Sequence, residues 1–125
     1  MGQMMKVAIT AAALALTAVQ GFAHEAGSGP HGGPKVDAGK YHAELVVDGS
    51  SNVAVYLTDE ADKPVATTGF KANAIFVVGT QPVRFALTPA DNTKLTGTAP
   101  VAVPPGVKGA IQITAPDGST VQAKY

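Results

Sequence analysis

From Tyr41 to Tyr125 the chain never sustains apolar residues at helical spacing. Apolar and polar side chains alternate instead, in short runs broken by clusters of Gly, Pro, Asp, Asn and Ser. That period of two confines this part of the chain to β-structure with one face on a core. The runs predict strands over 41–48, 53–58, 65–68, 73–78, 81–87, 94–96, 108–114 and 119–125. In the first run Tyr41, Ala43, Leu45 and Val47 share the inward face, and His42, Glu44 and Asp48 the outward one. Residues 73–78 are apolar at both parities and read as buried on both faces. The clearest hairpin joins the last two runs through Ala115-Pro116-Asp117-Gly118, where Pro presets φ and Gly permits positive φ. Short strands at this spacing predict an all-β fold, an immunoglobulin-like sandwich of about seven strands over 41–125. Leu45, Val55, Val83, Phe85, Ile111 and Ile113 are the expected core.

The residues ahead of Tyr41 divide in two. Residues 1–23 have the three-part pattern of a signal peptide: Lys6 in the first part, an apolar run from Val7 to about Val19, and Gly21-Phe22-Ala23 as the cleavage site. The run is too short to span a bilayer. Cleavage after Ala23 makes His24 the first mature residue, so export is expected. Residues 24–40 hold five glycines and two prolines, too little apolar surface to offset their ordering entropy, and predict a flexible arm.

Without the leader, eight basic residues face nine acidic ones. Net charge therefore gives no reason to expect nucleic acid, or a membrane after signal cleavage, as a partner. There is no cysteine, so the core alone must hold the fold in an oxidising compartment. All three methionines, Met1, Met4 and Met5, lie in the leader. Soft sulfur ligands are thus missing from the mature chain, while imidazole and carboxylate suit Cu(II), Zn(II) or Ni(II).

All three histidines, His24, His31 and His42, fall within nineteen consecutive positions. An N-terminal histidine chelates through its α-amine and Nδ1, and a second imidazole completes a nitrogen-only site that Cu(II) favours. His31 lies in Gly29-Pro30-His31-Gly32-Gly33, where glycines let the backbone bend around an ion. His42 and Glu44, two apart on one strand face, stand close enough to share one. These four residues are the expected metal ligands. No catalytic constellation accompanies them: there is no cysteine, no G-x-S-x-G and no phosphate loop between a strand and a helix. The chain is not expected to be an enzyme.

His31-Gly32-Gly33, then Tyr41-His42-Ala43-Glu44-Leu45-Val46, then Val53-Ala54-Val55-Tyr56-Leu57-Thr58-Asp59 form an H-G-G … Y-H-x-E-L-V … V-x-V-Y-x-x-D pattern. It resembles that of small exported proteins of Gram-negative bacteria, and is similar to segments near the start of the periplasmic adaptor subunits of heavy-metal efflux pumps. The N-terminal His resembles that of periplasmic copper-resistance carriers. The resemblance implies a periplasmic β-sandwich that buffers copper or another heavy metal, or delivers it to an efflux adaptor or pump. The alternative is a structural or interaction module without metal, docking by an exposed strand edge.

Overall fold

The computed structural model describes residues 27–125, and the predicted leader and His24 lie outside them. Eight strands follow one another: β1 (Lys35–Ala38), β2 (Tyr41–Val47), β3 (Asn52–Thr58), β4 (Lys71–Val78), β5 (Gln81–Ala90), β6 (Lys94–Thr98), β7 (Lys108–Thr114) and β8 (Thr120–Lys124). All pairings are antiparallel, in the order β1-β2-β3-β6-β5-β4-β7-β8.

β5 makes this one continuous ribbon rather than two separate sheets. Its first part pairs with β4, from Val78↔Gln81 to Ala72↔Leu87. Its last three residues pair with β6, Thr88↔Thr96 through Ala90↔Lys94. The strand thus turns the corner from one layer to the other. β1 comes alongside β8 at the far ends, so the sandwich is nearly a closed barrel. One layer holds β2-β3-β6-β5 and the other β4-β7-β8, which is the two-layer strand grouping of an immunoglobulin domain with β1 added at an edge. The β5–β6 hairpin closes through Asp91 and Asn92, both at φ 54, the consecutive left-handed pair of a type I′ turn.

The core is what the alternation predicts. Leu45, Val53, Val55, Leu57, Ala72, Ala74, Phe76, Leu87, Leu95, Ile111 and Ile113 are all buried between the layers. Of the six expected core residues, five are buried and Phe85 only partly so. Phe76, completely buried, takes the central place, with Phe85 edge-on to it at 5.6 Å between ring centres.

Three expectations need correcting. The arm is not without structure: residues 35–38 form β1, with Lys35 opposite Glu44 and Ala38 opposite Tyr41. The paired fold therefore begins at Lys35, not Tyr41. The segment 65–68 is no strand. It crosses between layers, with Val65 N–H donating to Leu57 O at 3.0 Å and buried Thr67 donating its hydroxyl to Lys94 O at 3.2 Å. These single anchors leave no ladder. Third, β4 alternates rather than burying both faces: Ile75 and Val77 are 40% and 50% exposed.

Phe76→Ala should destabilise the fold by about 3–5 kcal/mol, the usual range for a buried aromatic. Phe85→Ala should cost clearly less. Urea midpoints of the two variants check this order, and equal shifts would mean the centre of the core is misplaced.

Candidate functional site

The outward positions of β2 carry the site. Glu44 alternates outward, opposite Tyr56 of β3 and Lys35 of β1, and the sequence predicts it on the outer face beside His42, close enough to share an ion with it. It is instead 2% exposed. The residues ahead of β1 fold over it. Ser28 bridges to Pro34, Lys35 N–H donates to Gly27 O at 3.1 Å, and Leu45 N–H donates to Pro34 O at 2.9 Å. Between these anchors the chain makes a tight loop, with Gly29 N–H on Gly33 O at 2.8 Å and Gly32 at φ 86.

That loop is a cradle for a carboxylate. The N–H groups of His31 and Gly33 both donate to Oε2 of Glu44, at 2.8 and 2.9 Å. Nδ1 of His31 meets Oε1 at 2.9 Å. Backbone amides of one short turn aimed at one anion form a nest, here filled by the chain's own side chain, while the intervening Gly32 N–H donates to Gly29 O at 3.0 Å. The cradle tolerates no extra bulk. A Cβ on Gly29 would overlap the Glu44 carboxyl, and one on Gly33 would overlap the carbonyl of Leu45. Glycine density, read from sequence as flexibility, is here a demand for close approach.

His31 is fixed by this arrangement. Its ring lies flat on Tyr56, 3.6 Å between centres and 11° between planes. Lys94 Nζ stands 5.9 Å from the Tyr56 ring centre. A bond from Nδ1–H to Glu44 places the lone pair on Nε2. Nε2 has no hydrogen-bond partner among the described residues, and the side chain is 44% exposed. A cleft of about 130 Å³ beside His31 runs between the loop, Val46 and Pro105-Gly106. A groove of about 670 Å³ lies along the same outer face, floored by Val46, Ala54, Thr96 and Thr88 and walled by Tyr56 and Lys94.

His42 is held elsewhere. Its Nδ1 lies 3.1 Å from Asp62 Oδ1 and its Nε2 lies 3.3 Å from Asp37 Oδ1. Lys35 Nζ shares Asp62 Oδ1 at 3.1 Å. Lys35 first and His42 second hold the Asp62 carboxyl below its usual range. This network ties β1 and β2 to the loop after β3. The four expected ligands are therefore not gathered in one place. Glu44 serves His31, His42 serves Asp37 and Asp62, and His24 lies outside the described residues. Among the described residues no group of three or more His, Asp and Glu side chains is arranged to hold a metal ion.

Sequence reasoning missed Tyr56, Asp37, Asp62 and Tyr125. All four act across strands or from a distant loop, where local spacing carries no signal. Tyr125 closes the site from below: its hydroxyl donates to Ala43 O at 2.8 Å. Burial first, and the Glu44 charge second, push its phenol well above the usual range. Comparison with known proteins gives no match to a family model, a curated protein or a solved structure.

Two outcomes follow from this geometry. Glu44→Gln retains the shape but not the charge, and its amide nitrogen cannot accept. The variant should lose about 1–3 kcal/mol of stability, and amides of residues 29–33 should exchange faster with deuterium. Unchanged exchange would separate the loop from the carboxylate. For Tyr125 the raised value favours the protonated phenol in the fold. Its contribution is complete below the unfolded-chain value of 10.0 and is lost as pH rises above it. Stability should therefore fall on the alkaline side, and Tyr125→Phe should flatten that fall while lowering stability at neutral pH. Thermal unfolding across the alkaline range reads both.

Proposed function

We propose that this chain binds a divalent transition-metal ion through Nε2 of His31. One observation carries the reading: the carboxylate–histidine pair of Glu44 and His31, with Nδ1 engaged and Nε2 turned away from the carboxylate. A carboxylate on one ring nitrogen fixes the tautomer, holds the ring still and raises the basicity of the other nitrogen, which is how metal-ligating imidazoles are supported. Glu44 thus acts behind His31 rather than as a ligand, because both its oxygens are already taken. Stacking on Tyr56 removes the remaining rotational freedom of the ring.

A single imidazole is not a site. The second nitrogen donor in this reading is the segment carrying His24, only three residues ahead of Gly27. With the amine and ring of His24, His31 completes the nitrogen set that suits Cu(II), or Zn(II) or Ni(II). The role is that of an exported periplasmic carrier, buffering metal or passing it to an efflux adaptor or pump, and not that of an enzyme. An interaction module without metal is the second reading, favoured by the exposed aliphatic side chains of β4.

Calorimetric titration of Cu(II) into the chain beginning at His24 tests the proposal. His31→Ala should weaken binding by tenfold or more, and Glu44→Gln by roughly ten- to a hundredfold, the range for an outer-shell partner. One residue added ahead of His24 should also weaken it, since it abolishes the amine chelate. His42→Ala should leave affinity nearly unchanged, because that ring is committed to Asp37 and Asp62. Affinity should fall as pH drops through the range where imidazole protonates. Full affinity in His31→Ala would sink the reading.

A further inference from the structure

Net charge conceals an uneven distribution. Residues 27–125 contain eight cationic and eight acidic side chains. Four of the cations, Lys71, Arg84, Lys108 and Lys124, stand exposed at outward positions of β4, β5, β7 and β8. No carboxylate side chain occupies an outward position of these four paired segments. None of the four cations takes part in an ion pair among the described residues.

The same face carries the exposed aliphatic residues. Strand register sets Arg84, Ile75, Ala110 and Lys124 in one row across the layer, and Pro82, Val77 and Lys108 in the next. At about 4.8 Å per strand the first row is roughly 14 Å wide, with a cation at each end and apolar atoms between. Ile75 is 40% and Val77 50% exposed, and Val101, at 43%, lines a shallow cleft with Pro82 and Arg84 at the end of these rows. These are the large exposed hydrophobic residues of the described fold, and they share one cationic surround.

We propose that this face docks on an anionic lipid bilayer surface. A second copy does not suit it, because an isologous contact would bring the cations of one face, Arg84, Lys108 and Lys124, against the same set of cations on the other. A protein partner is less well matched, because the face offers no Trp, Tyr, Phe or Met to serve as an anchor. A charged lipid surface needs no anchor pocket. Each Lys or Arg near an anionic leaflet contributes independently, and Ile75, Val77 and Val101 enter the headgroup boundary between the cations. Docking on lipid departs from the expectation drawn from net charge alone, because it rests on where the charges lie.

All eight strands lie between Lys35 and Lys124, so the chain from His24 carries the whole fold. It is also free of the apolar run of the leader, which would enter lipid by itself. Co-sedimentation with vesicles of one part phosphatidylglycerol to two parts phosphatidylcholine should show partition at low salt that falls steeply at high salt. Vesicles of phosphatidylcholine alone should retain little. Arg84→Glu/Lys124→Glu should reduce partition at least about tenfold. Lys40→Glu/Lys63→Glu, with the same net charge change on other surfaces, should reduce it far less. Ile75→Ser/Val77→Ser should weaken what remains at high salt. Thermal midpoints of the variants establish that each is folded. No partition into anionic vesicles, equal partition into both vesicle types, or equal loss in the two charge-reversed pairs would overturn the proposal. Binding to an acidic protein surface without binding to vesicles would overturn it in favour of a protein partner.

Discussion

The burial of one carboxylate governs the N-terminal half of this fold. Glu44 sits at a position that β alternation turns away from the core, yet water is excluded from it. An unpaired carboxylate there would be strongly destabilising. Two backbone amides and an imidazole offset that penalty together, and only a loop of unusual shape can deliver all three. The loop in turn requires glycine where side chains would meet Glu44 or Leu45. Its end leads directly into β1, whose pairing with β2 brings it alongside β8. Carboxylate, loop, first strand and near-closure of the barrel are therefore one cooperative unit. Disturbing any member leaves buried polar groups unmatched in the others.

The two described histidines show how neighbours in sequence can be separated in chemistry. His42 and Glu44 do lie on one strand face, roughly 7 Å apart along the strand. What separates them is the element laid over that face. Asp37 of β1 stands opposite His42, while Lys35 and the preceding loop stand over Glu44. His42 then faces a carboxylate at each nitrogen, with Lys35 beside them. A metal ion would have to displace two anions and approach a lysine to reach that ring. His31 has a carboxylate at only one nitrogen. The same residue type thus serves as a tie between β1, β2 and a loop in one place, and in the other is held by a single carboxylate with its second nitrogen left free among the described residues.

Most strands from Tyr41 onward were legible because alternation and turn residues agree there, the exception being 65–68, which crosses between layers without a ladder. β1 was not, for two reasons. Lys35-Val36-Asp37-Ala38 is too short to show a period, and the glycines around it signal freedom when read locally. Whether a glycine frees the chain or admits a close neighbour depends on what lies across from it, here Glu44 and Leu45, more than ten positions away. The stretch 73–78 failed in the opposite way. Apolar residues at both parities read as double burial, but β4 has a core on one side only. At the site, His31, His42 and Glu44 could be singled out in advance as polar side chains of interest, but not what each of them contacts. Their partners Tyr56, Asp37 and Asp62 could not, because each comes from cross-strand register or from a loop.

The two layers meet through their inward residues, and this leaves their outward residues free to diverge. Packing constrains Leu45, Val55, Phe76 and Ile111; it places no condition on what His31, Lys94, Arg84 or Val77 present to the outside. Among the described residues, one outer surface accordingly gathers His31, His42, most of the carboxylates and the long groove, while the other gathers unpaired cations and exposed aliphatics. β5 belongs to both layers, so a change in its twist would move both surfaces. The alternation that made the fold readable thus also sorts the chain. Inward positions specify the sandwich, and outward positions, invisible to any argument from hydrophobicity, carry whatever the protein recognises. With opposite characters on opposite faces, metal at the His31 face and lipid at the Arg84 face would not compete for the same surface.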